Sequence, residues 1–143
     1  MHPTTFPKEI VANCDDIDYV AIGEGENTIV ALAASIKAKN ENLLSSIKSF
    51  AYRDKDGVVR INREKNYVED LNTLPMPAWD LINLNKFEMN MDHYYNPLKL
   101  PIKHKVAIFS SRACPLDCNF CDMFLIMGKK HRKRSVKTIV DEI

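Results

Sequence analysis

The chain has 143 residues, of which 45% are hydrophobic and 27% charged, and these fractions are typical of a globular protein of one ordinary domain. They exclude a disordered or collagen-like chain. Lysine and arginine number 20 against 19 aspartates and glutamates, so the formal net charge is +1. This balance argues against a protein dedicated to coating nucleic acid or a membrane surface, because such proteins normally carry a basic excess.

The sequence indicates a cytoplasmic protein with no membrane partner. No apolar run approaches the roughly 18 residues that a membrane-spanning helix needs, and the N-terminus lacks the charged and apolar regions of a signal peptide. Three of the four cysteines lie between Cys114 and Cys121. Clustered thiols in a reducing compartment favour a metal site over a disulfide scaffold.

Residues 1–45 have the pattern of an α/β unit. We predict a short helix from Pro7 to Cys14, and the apolar run from Asp16 to Ile22 is typical of a buried parallel strand. The glycine-containing stretch 23–27 predicts a turn, after which a second helix begins. Its apolar side chains recur at helical spacing and predict one buried face: Ile29, Leu32, Ala33 and Ile36.

Residues 46–105 predict a β-hairpin followed by a connector. Two strands, 47–53 and 57–62, are joined through the stretch from Asp54 to Gly57, where Asp-Gly favours a tight turn because glycine accepts positive φ. Residues 63–105 predict the connector. Within it, the prolines between Leu74 and Asp80 hold the residues before them extended, which is typical of a semi-rigid linker.

Residues 106–143 predict the start of a second α/β unit. Val106 to Phe109 is a short apolar strand candidate, residues 110–119 form a loop, and Ser135 is placed to cap a final helix. The basic run 129–137 is typical of a solvated loop or helix entry. The last helix has no stop signal before Ile143, so we expect the chain to be a piece of a longer protein, cut at both ends.

The residues that carry chemistry lie in the loop after this strand. Cys114, Cys118 and Cys121 are spaced C-x₃-C-x₂-C, and three thiolates in one short loop can converge on one metal centre. Iron–sulfur clusters bound only by thiolates take four cysteines. Three cysteines would therefore leave one iron open for a substrate or cofactor, and the spacing favours a reactive cluster.

This loop resembles that of the radical S-adenosylmethionine enzymes, whose hallmark is C-x₃-C-x-aromatic-C after the first strand of a (β/α) barrel. Cys114, Cys118, Phe120 and Cys121 match it without a gap. The resemblance implies that the cysteines hold a [4Fe–4S] cluster, that S-adenosylmethionine binds its fourth iron, and that Phe120 lies beside the adenine. It also implies cleavage of S-adenosylmethionine to a 5′-deoxyadenosyl radical, a reductant such as flavodoxin or ferredoxin, and a small-molecule substrate.

Other segments resemble the cobalamin-dependent subgroup of these enzymes. Residues 111–115 and 128–143 are similar to the opening of its barrel, and residues 2–4, 19–26 and 74–81 to its cobalamin-binding domain and connector. The resemblance implies an α/β fold in three parts. These are the tail end of a Rossmann-like cobalamin-binding domain at 1–45, a β-hairpin and proline-rich connector at 46–105, and the first β/α unit of a radical S-adenosylmethionine barrel at 106–143.

The sequence also departs from that subgroup. It lacks the Asp-x-His-x-x-Gly motif that offers an axial histidine to cobalamin, and His2 sits in a different context. The Gly-Gly-Glu stretch that receives the methionine amine would lie beyond Ile143. Because a barrel of about 250 residues cannot be built from the segment between Val106 and Ile143, we expect no turnover by this chain alone.

The Gly-x-Gly turn has two interpretations. Gly23 and Gly25 either contact the tail of a nucleotide cofactor or belong to an ordinary strand-to-helix turn. The substrate contacts of such barrels arise from strands and loops that this chain does not contain, so methyl transfer, ring rearrangement and sulfur insertion all stay open. A locally folded fragment without activity is a further alternative.

A zinc site is the alternative to the cluster. The three cysteines with His131 make C-x₃-C-x₂-C-x₉-H, which would suit a small zinc-dependent nucleic-acid-binding module. The basic run beside His131 could touch phosphate. Because no aromatic platform accompanies these charges, we expect no nucleic-acid partner.

Overall fold

The first sheet of the protein is antiparallel. The computed structural model describes residues 2–83, 86, 97, 106–116 and 118–143. Strands β1 (Tyr19–Ala21), β2 (Phe50–Arg53) and β3 (Val59–Asn62) form a sheet in the order β1-β2-β3, with Val20 opposite Ala51 and Ala51 opposite Ile61. The prediction of a buried parallel strand at 16–22 is therefore wrong in direction and extent. A short apolar run is compatible with a parallel or an antiparallel sheet, and here only the central residue of β1 is buried.

The hairpin between β2 and β3 confirms the predicted turn, although both strands are shorter than the predicted 47–53 and 57–62. Gly57 has a φ of +77°, and its N–H donates to the carbonyl of Asp54. The Asp54 carboxylate accepts the backbone N–H groups of Asp56 at 3.0 Å and Val58 at 2.8 Å. These contacts are local, so the turn is stabilised by its own residues.

Helices cover both faces of the central strand. Helix α1 (His2–Thr5) leads into α2 (Pro7–Asn13), which confirms the predicted first helix and packs Val11 against Val20 and Ala51. On the other face, β2 contributes Phe50 and Tyr52 to a second cluster, which also contains Leu32, Leu44 and Ile47. Because neighbouring side chains in a strand point to opposite faces, β2 links the two clusters.

Helix α3 (Glu26–Ala38) confirms the predicted second helix but buries a different face. Leu32 is buried as expected, whereas Ile29, Ala33 and Ile36 are exposed. The other buried positions are polar: the Thr28 hydroxyl donates to the carbonyl of Lys48, and the Ser35 hydroxyl to that of Asn40. Short hydroxyl side chains that find carbonyl partners can face the interior, which apolar periodicity does not detect.

Short 3₁₀ segments lie both before and after the hairpin. A 3₁₀ segment at Glu41–Ser46 precedes β2, and two more lie at Leu71–Thr73 and Trp79–Leu81. Leu74, which precedes a proline, is extended as predicted. The predicted connector from 84 to 105 lies, apart from residues 86 and 97, outside the described residues.

A second, two-stranded sheet frames the cysteine-containing segment. Strands β4 (Ser111–Arg112) and β5 (Arg132–Lys133) are antiparallel, and α4 (Met123–Met127) and α5 (Val136–Glu142) follow the cysteines and β5 respectively. The strand predicted at 106–109 is wrong, since those residues have no regular structure and Phe109 is exposed. The predicted cap is confirmed: the Ser135 hydroxyl accepts the N–H of Thr138 at 3.1 Å.

The protein is thus a small α/β arrangement, as predicted at that level. The Rossmann-like tail, the first barrel unit and the three-part division stay predictions, although pairing of β1 with β2 joins residues 1–45 to the hairpin in one sheet. Within the described ranges, no helix combines the length and apolar character needed to cross a membrane.

Candidate functional site

The three motif cysteines lie in one loop, which we call the cysteine loop and define as residues 113–122. It connects β4 to α4. Cys114, Cys118 and Cys121 are half-buried free thiols, and the N–H of Cys121 donates to the carbonyl of Cys118 at 3.0 Å. This bond closes a turn between the last two cysteines. Residue 117 lies outside the described residues.

The cysteine loop opens with strained backbone. Ala113, directly before the first cysteine, has a φ of +70°. An L-residue with a side chain pays roughly 1–2 kcal/mol in the left-handed region, so surrounding contacts must hold it there. The conformation turns the chain sharply out of β4 and into the loop.

An aromatic side chain and two of the cysteines share a concavity. Phe120 is 93% exposed. The concavity has a volume of about 470 Å³ and is lined by Cys118, Asn119, Phe120, Cys121, Asp122 and Phe124. An exposed phenyl ring beside two thiols is costly to leave in water and is available to contact a flat ligand.

The donor set fits an iron–sulfur cluster by its chemistry. Three free thiols on one short loop are the ligand type that iron–sulfur clusters use. Among the residues described, no three His, Cys, Asp or Glu side chains are grouped so as to hold a single metal ion. His131 lies exposed in the turn before β5. In the described part of the chain the structure therefore does not gather the three cysteines around one point, with or without His131, and the fit to a cluster rests on the thiol chemistry of the loop.

A buried ion pair lies behind the cysteine loop, and the sequence analysis missed it. The side chains of Glu24 and Arg132 are each 3% exposed. Arg132 Nη2 lies 2.5 Å from Glu24 Oε1, and Nη1 lies 2.9 Å from Oε2. Oε2 also accepts the N–H of Val68 at 3.1 Å. Such a bidentate, fully partnered pair holds its two chain segments in one fixed arrangement.

Arg112, at the end of β4, extends this network. Its Nη1 lies 3.4 Å from Glu24 Oε2, and its Nη2 donates to Glu26 Oε1 at 2.5 Å. Burial alone would raise the pKa of Glu26, but the hydrogen bond from Arg112, a backbone hydrogen bond and the charges of both arginines hold that pKa below its ordinary value. The hydrogen bond to Glu24 raises the pKa of Arg132 despite burial.

The predicted solvated character of the basic run is wrong for two of its arginines. Arg132 is buried, and the Arg134 side chain is 12% exposed and pairs with Glu142 of α5. The signal was present in the sequence, because the glutamates of the Gly-Glu-Gly-Glu turn offer partners for such arginines. Their pairing could not be assigned, since Glu24 and Arg132 are 108 positions apart.

The two candidate glycines line a cavity next to this network. Gly23 has a φ of +73°, its N–H donates to the Thr4 hydroxyl at 3.0 Å, and a Cβ there would lie 2.9 Å from the carbonyl oxygen of Ile126 in α4. Gly25 is the N-cap of α3. With Arg112 and part of α4, both line a space of about 540 Å³. Contact of Gly23 and Gly25 with a nucleotide cofactor stays a prediction.

Comparison with known proteins places the chain among enzymes. No family model matches it. It is 28% identical over 142 residues to an uncharacterized methyltransferase of Pyrococcus horikoshii, a match that covers 99% of this chain and 28% of the relative. It is 27% identical over 163 residues to cytidylyl-2-hydroxyethylphosphonate methyltransferase of Streptomyces wedmorensis, a match that covers 99% of this chain and 29% of the relative. It is 28% identical over 145 residues to anaerobic magnesium-protoporphyrin IX monomethyl ester cyclase of Cereibacter sphaeroides, a match that covers 100% of this chain and 22% of the relative.

These relatives are named as enzymes, two methyltransferases and a cyclase. The chain spans about a quarter of the length of these curated relatives. At 27–28% identity these relatives are compatible with the predicted radical S-adenosylmethionine family, and the cobalamin-dependent subgroup stays a prediction.

Proposed function

We propose that the cysteine loop binds a [4Fe–4S] cluster through Cys114, Cys118 and Cys121, as part of a radical S-adenosylmethionine enzyme. One observation carries the proposal. Three free, half-buried thiols lie on a single loop, and two of them share a concavity with the exposed ring of Phe120. When bound, the cluster would supply the electron that cleaves the sulfonium of S-adenosylmethionine.

The residues of this chain act by binding and placement. The hydrogen bond from the Cys121 N–H to the Cys118 carbonyl closes the backbone turn that carries these two thiols. Phe120 offers its ring to the adenine of S-adenosylmethionine, where stacking excludes water from the bound cofactor. Proline and leucine follow Cys114 and keep the outer side of the loop apolar.

The reaction type follows from the relatives as a proposal. Their names specify methyl transfer and ring formation, and we propose the same broad class of carbon chemistry here, on a small-molecule substrate. The proposal requires a one-electron reductant such as flavodoxin or ferredoxin and suits the reducing cytoplasm. Residues 1–45 further suggest cobalamin as a second cofactor, which a shift of the cobalamin absorption spectrum on mixing would test.

Anaerobic reconstitution with iron and sulfide tests the cluster. We expect iron and acid-labile sulfide at about four each per chain, and a paramagnetic signal after reduction that changes when S-adenosylmethionine is added. Cys118→Ala should lose iron and signal. Cys14→Ala is the matched control, because Cys14 is also a half-buried free thiol but lies outside the cysteine loop.

The zinc alternative predicts the opposite pattern. Tight zinc at one ion per chain, reduced by His131→Ala and accompanied by no cluster, would refute the proposal. Retention of the full cluster in Cys118→Ala would refute the assignment of its ligands. A wild-type chain that binds neither iron nor zinc would support the inactive-fragment alternative.

A further inference from the structure

We propose that Glu24 is a positioning residue that fixes both ends of the cysteine loop, acting through Arg112 and Arg132. That Glu24 positions a bound cluster rests on the function proposed above. That Glu24 restrains the cysteine loop in the metal-free chain does not depend on that function. Glu24 itself lies in the turn before α3, far from the cysteines in sequence. Among the described residues, Glu24 forms its hydrogen bonds and ion pairs with Val68, Arg112 and Arg132, so its effect on the cysteine loop passes through the two arginines.

Arg132 connects Glu24 to the C-terminal end of the cysteine loop, where α4 follows it. Besides both oxygens of Glu24, its guanidinium donates to the carbonyl of Met127 at 2.7 Å and to that of Val68 at 2.8 Å. Met127 is the last residue of α4, the helix that begins two positions after Cys121. A guanidinium held by Glu24 therefore caps α4 at its C-terminus, where a cation complements the helix ends.

Arg112 connects Glu24 to the N-terminal end of the cysteine loop. It is the last residue of β4 and directly precedes Ala113, whose positive φ begins the loop before Cys114. The strained Ala113 conformation needs a fixed neighbour on its N-terminal side. Arg112 Nη1 faces Glu24 Oε2, and its Nη2 faces Glu26. The first cysteine is thus tied to the same buried carboxylate as α4.

Like-charge repulsion makes the carboxylate necessary. Arg112 and Arg132 stand directly opposite each other in the β4–β5 pair. Like charges opposite each other destabilise an antiparallel pair, and the charge of Arg112 works against that of Arg132. Glu24 lies within ion-pair distance of both guanidinium groups. Removing its charge leaves two cations, one of them buried, on the strands that close the cysteine loop.

Thiol reactivity in the metal-free chain tests the inference. The reduced 143-residue chain is pulsed with iodoacetamide, and the modification rate of each cysteine is read by peptide mass spectrometry. Glu24→Gln keeps the size of the side chain and removes its charge. We expect it to raise the rates at Cys114, Cys118 and Cys121 by about tenfold, because loss of a charged, buried hydrogen bond shifts a local opening equilibrium by that order.

Cys14 is an internal reference in the same molecule. It lies after α2, outside the cysteine loop, so local loosening leaves its rate unchanged while global unfolding raises all four rates. Glu69→Gln is the matched control variant. Glu69 pairs with Lys130 at an exposed position near Arg132, and such surface pairs contribute little, so its four rates should match the wild type.

Arg112→Gln keeps the inference testable if Glu24→Gln fails to fold. It should raise the rate at Cys114 more than at Cys118 and Cys121, because Arg112 adjoins only the near end of the loop. Unchanged loop rates in a folded Glu24→Gln chain, an equal rise at all four cysteines, or an unchanged Cys114 rate in folded Arg112→Gln would each overturn the proposal.

Reconstitution separates this inference from the proposed function. In wild type and Glu69→Gln, iron content should be equal, and in Glu24→Gln it should fall or its paramagnetic signal should change. Failure of the wild type to bind a cluster would refute the proposed function and leave the thiol result intact. A full wild-type cluster that is identical in content and spectrum in Glu24→Gln would refute the positioning of the cluster by Glu24.

Discussion

Alanine at Gly23 should destabilise the protein more than alanine at Gly57, although both glycines have nearly the same φ. The φ values are +73° and +77°, so each substitution carries the conformational cost of about 1 kcal/mol. A Cβ at Gly57 meets nothing within 4 Å, whereas a Cβ at Gly23 lies 2.9 Å from the backbone oxygen of Ile126. Backbone cannot swing away as a side chain does, so overpacking adds about 1–3 kcal/mol at Gly23.

Urea unfolding of the reduced, metal-free chain, followed by far-UV circular dichroism, measures the difference. We expect Gly57→Ala to lower the free energy of unfolding by about 1 kcal/mol and Gly23→Ala by about 2–4 kcal/mol, at unchanged denaturant slope. Equal losses at Gly23 and Gly57 would refute the close packing of Gly23 on α4.

Two further predictions concern a carboxylate and a pair of phenylalanines. The pKa of Glu26 is lowered by Arg112, so its stabilising contribution is fully present above its ordinary pKa and is lost as pH falls through the lowered value. When the free energy of unfolding is measured against pH, it should therefore fall less below about pH 4.5 in Glu26→Gln than in the wild type. Identical pH profiles of the two proteins would contradict the ion pair between Glu26 and Arg112. Phe50→Ala should cost about 3–5 kcal/mol, because Phe50 is 1% exposed and packs on two tyrosines. Phe120→Ala should change stability by less than about 0.5 kcal/mol in the same unfolding assay yet weaken the spectral response of the cluster to S-adenosylmethionine. A large stability loss at Phe120 would show that its ring is structural.

Short-range features could be predicted from the sequence, because the groups that decide them are close along the chain. The hairpin turn depends on Asp54 and Gly57, whose hydrogen bonds with backbone groups of the turn span at most four positions. The start of α5 depends on Ser135 and Thr138. The cysteine motif is of the same kind, since three thiols spaced along one loop share it whatever the rest of the fold does.

Only the tertiary structure decided which distant segments meet. Apolar periodicity located α3 but not its buried side, because Thr28 and Ser35 face inward only where the carbonyls of Lys48 and Asn40 receive their hydroxyls. The run 106–109 is as apolar as a strand but has no regular structure. A strand requires a hydrogen-bonding neighbour, which local sequence does not specify.

The contact between Glu24 and Arg132 shows the same limit at the site. Charge alone marks both residues as surface candidates, and most such residues are exposed. Burial became favourable only because folding brought the carboxylate, the guanidinium and the backbone of Val68 together, so that each polar group has a partner. The sequence by itself determined that three cysteines share one loop, and the tertiary structure decided what holds that loop in place.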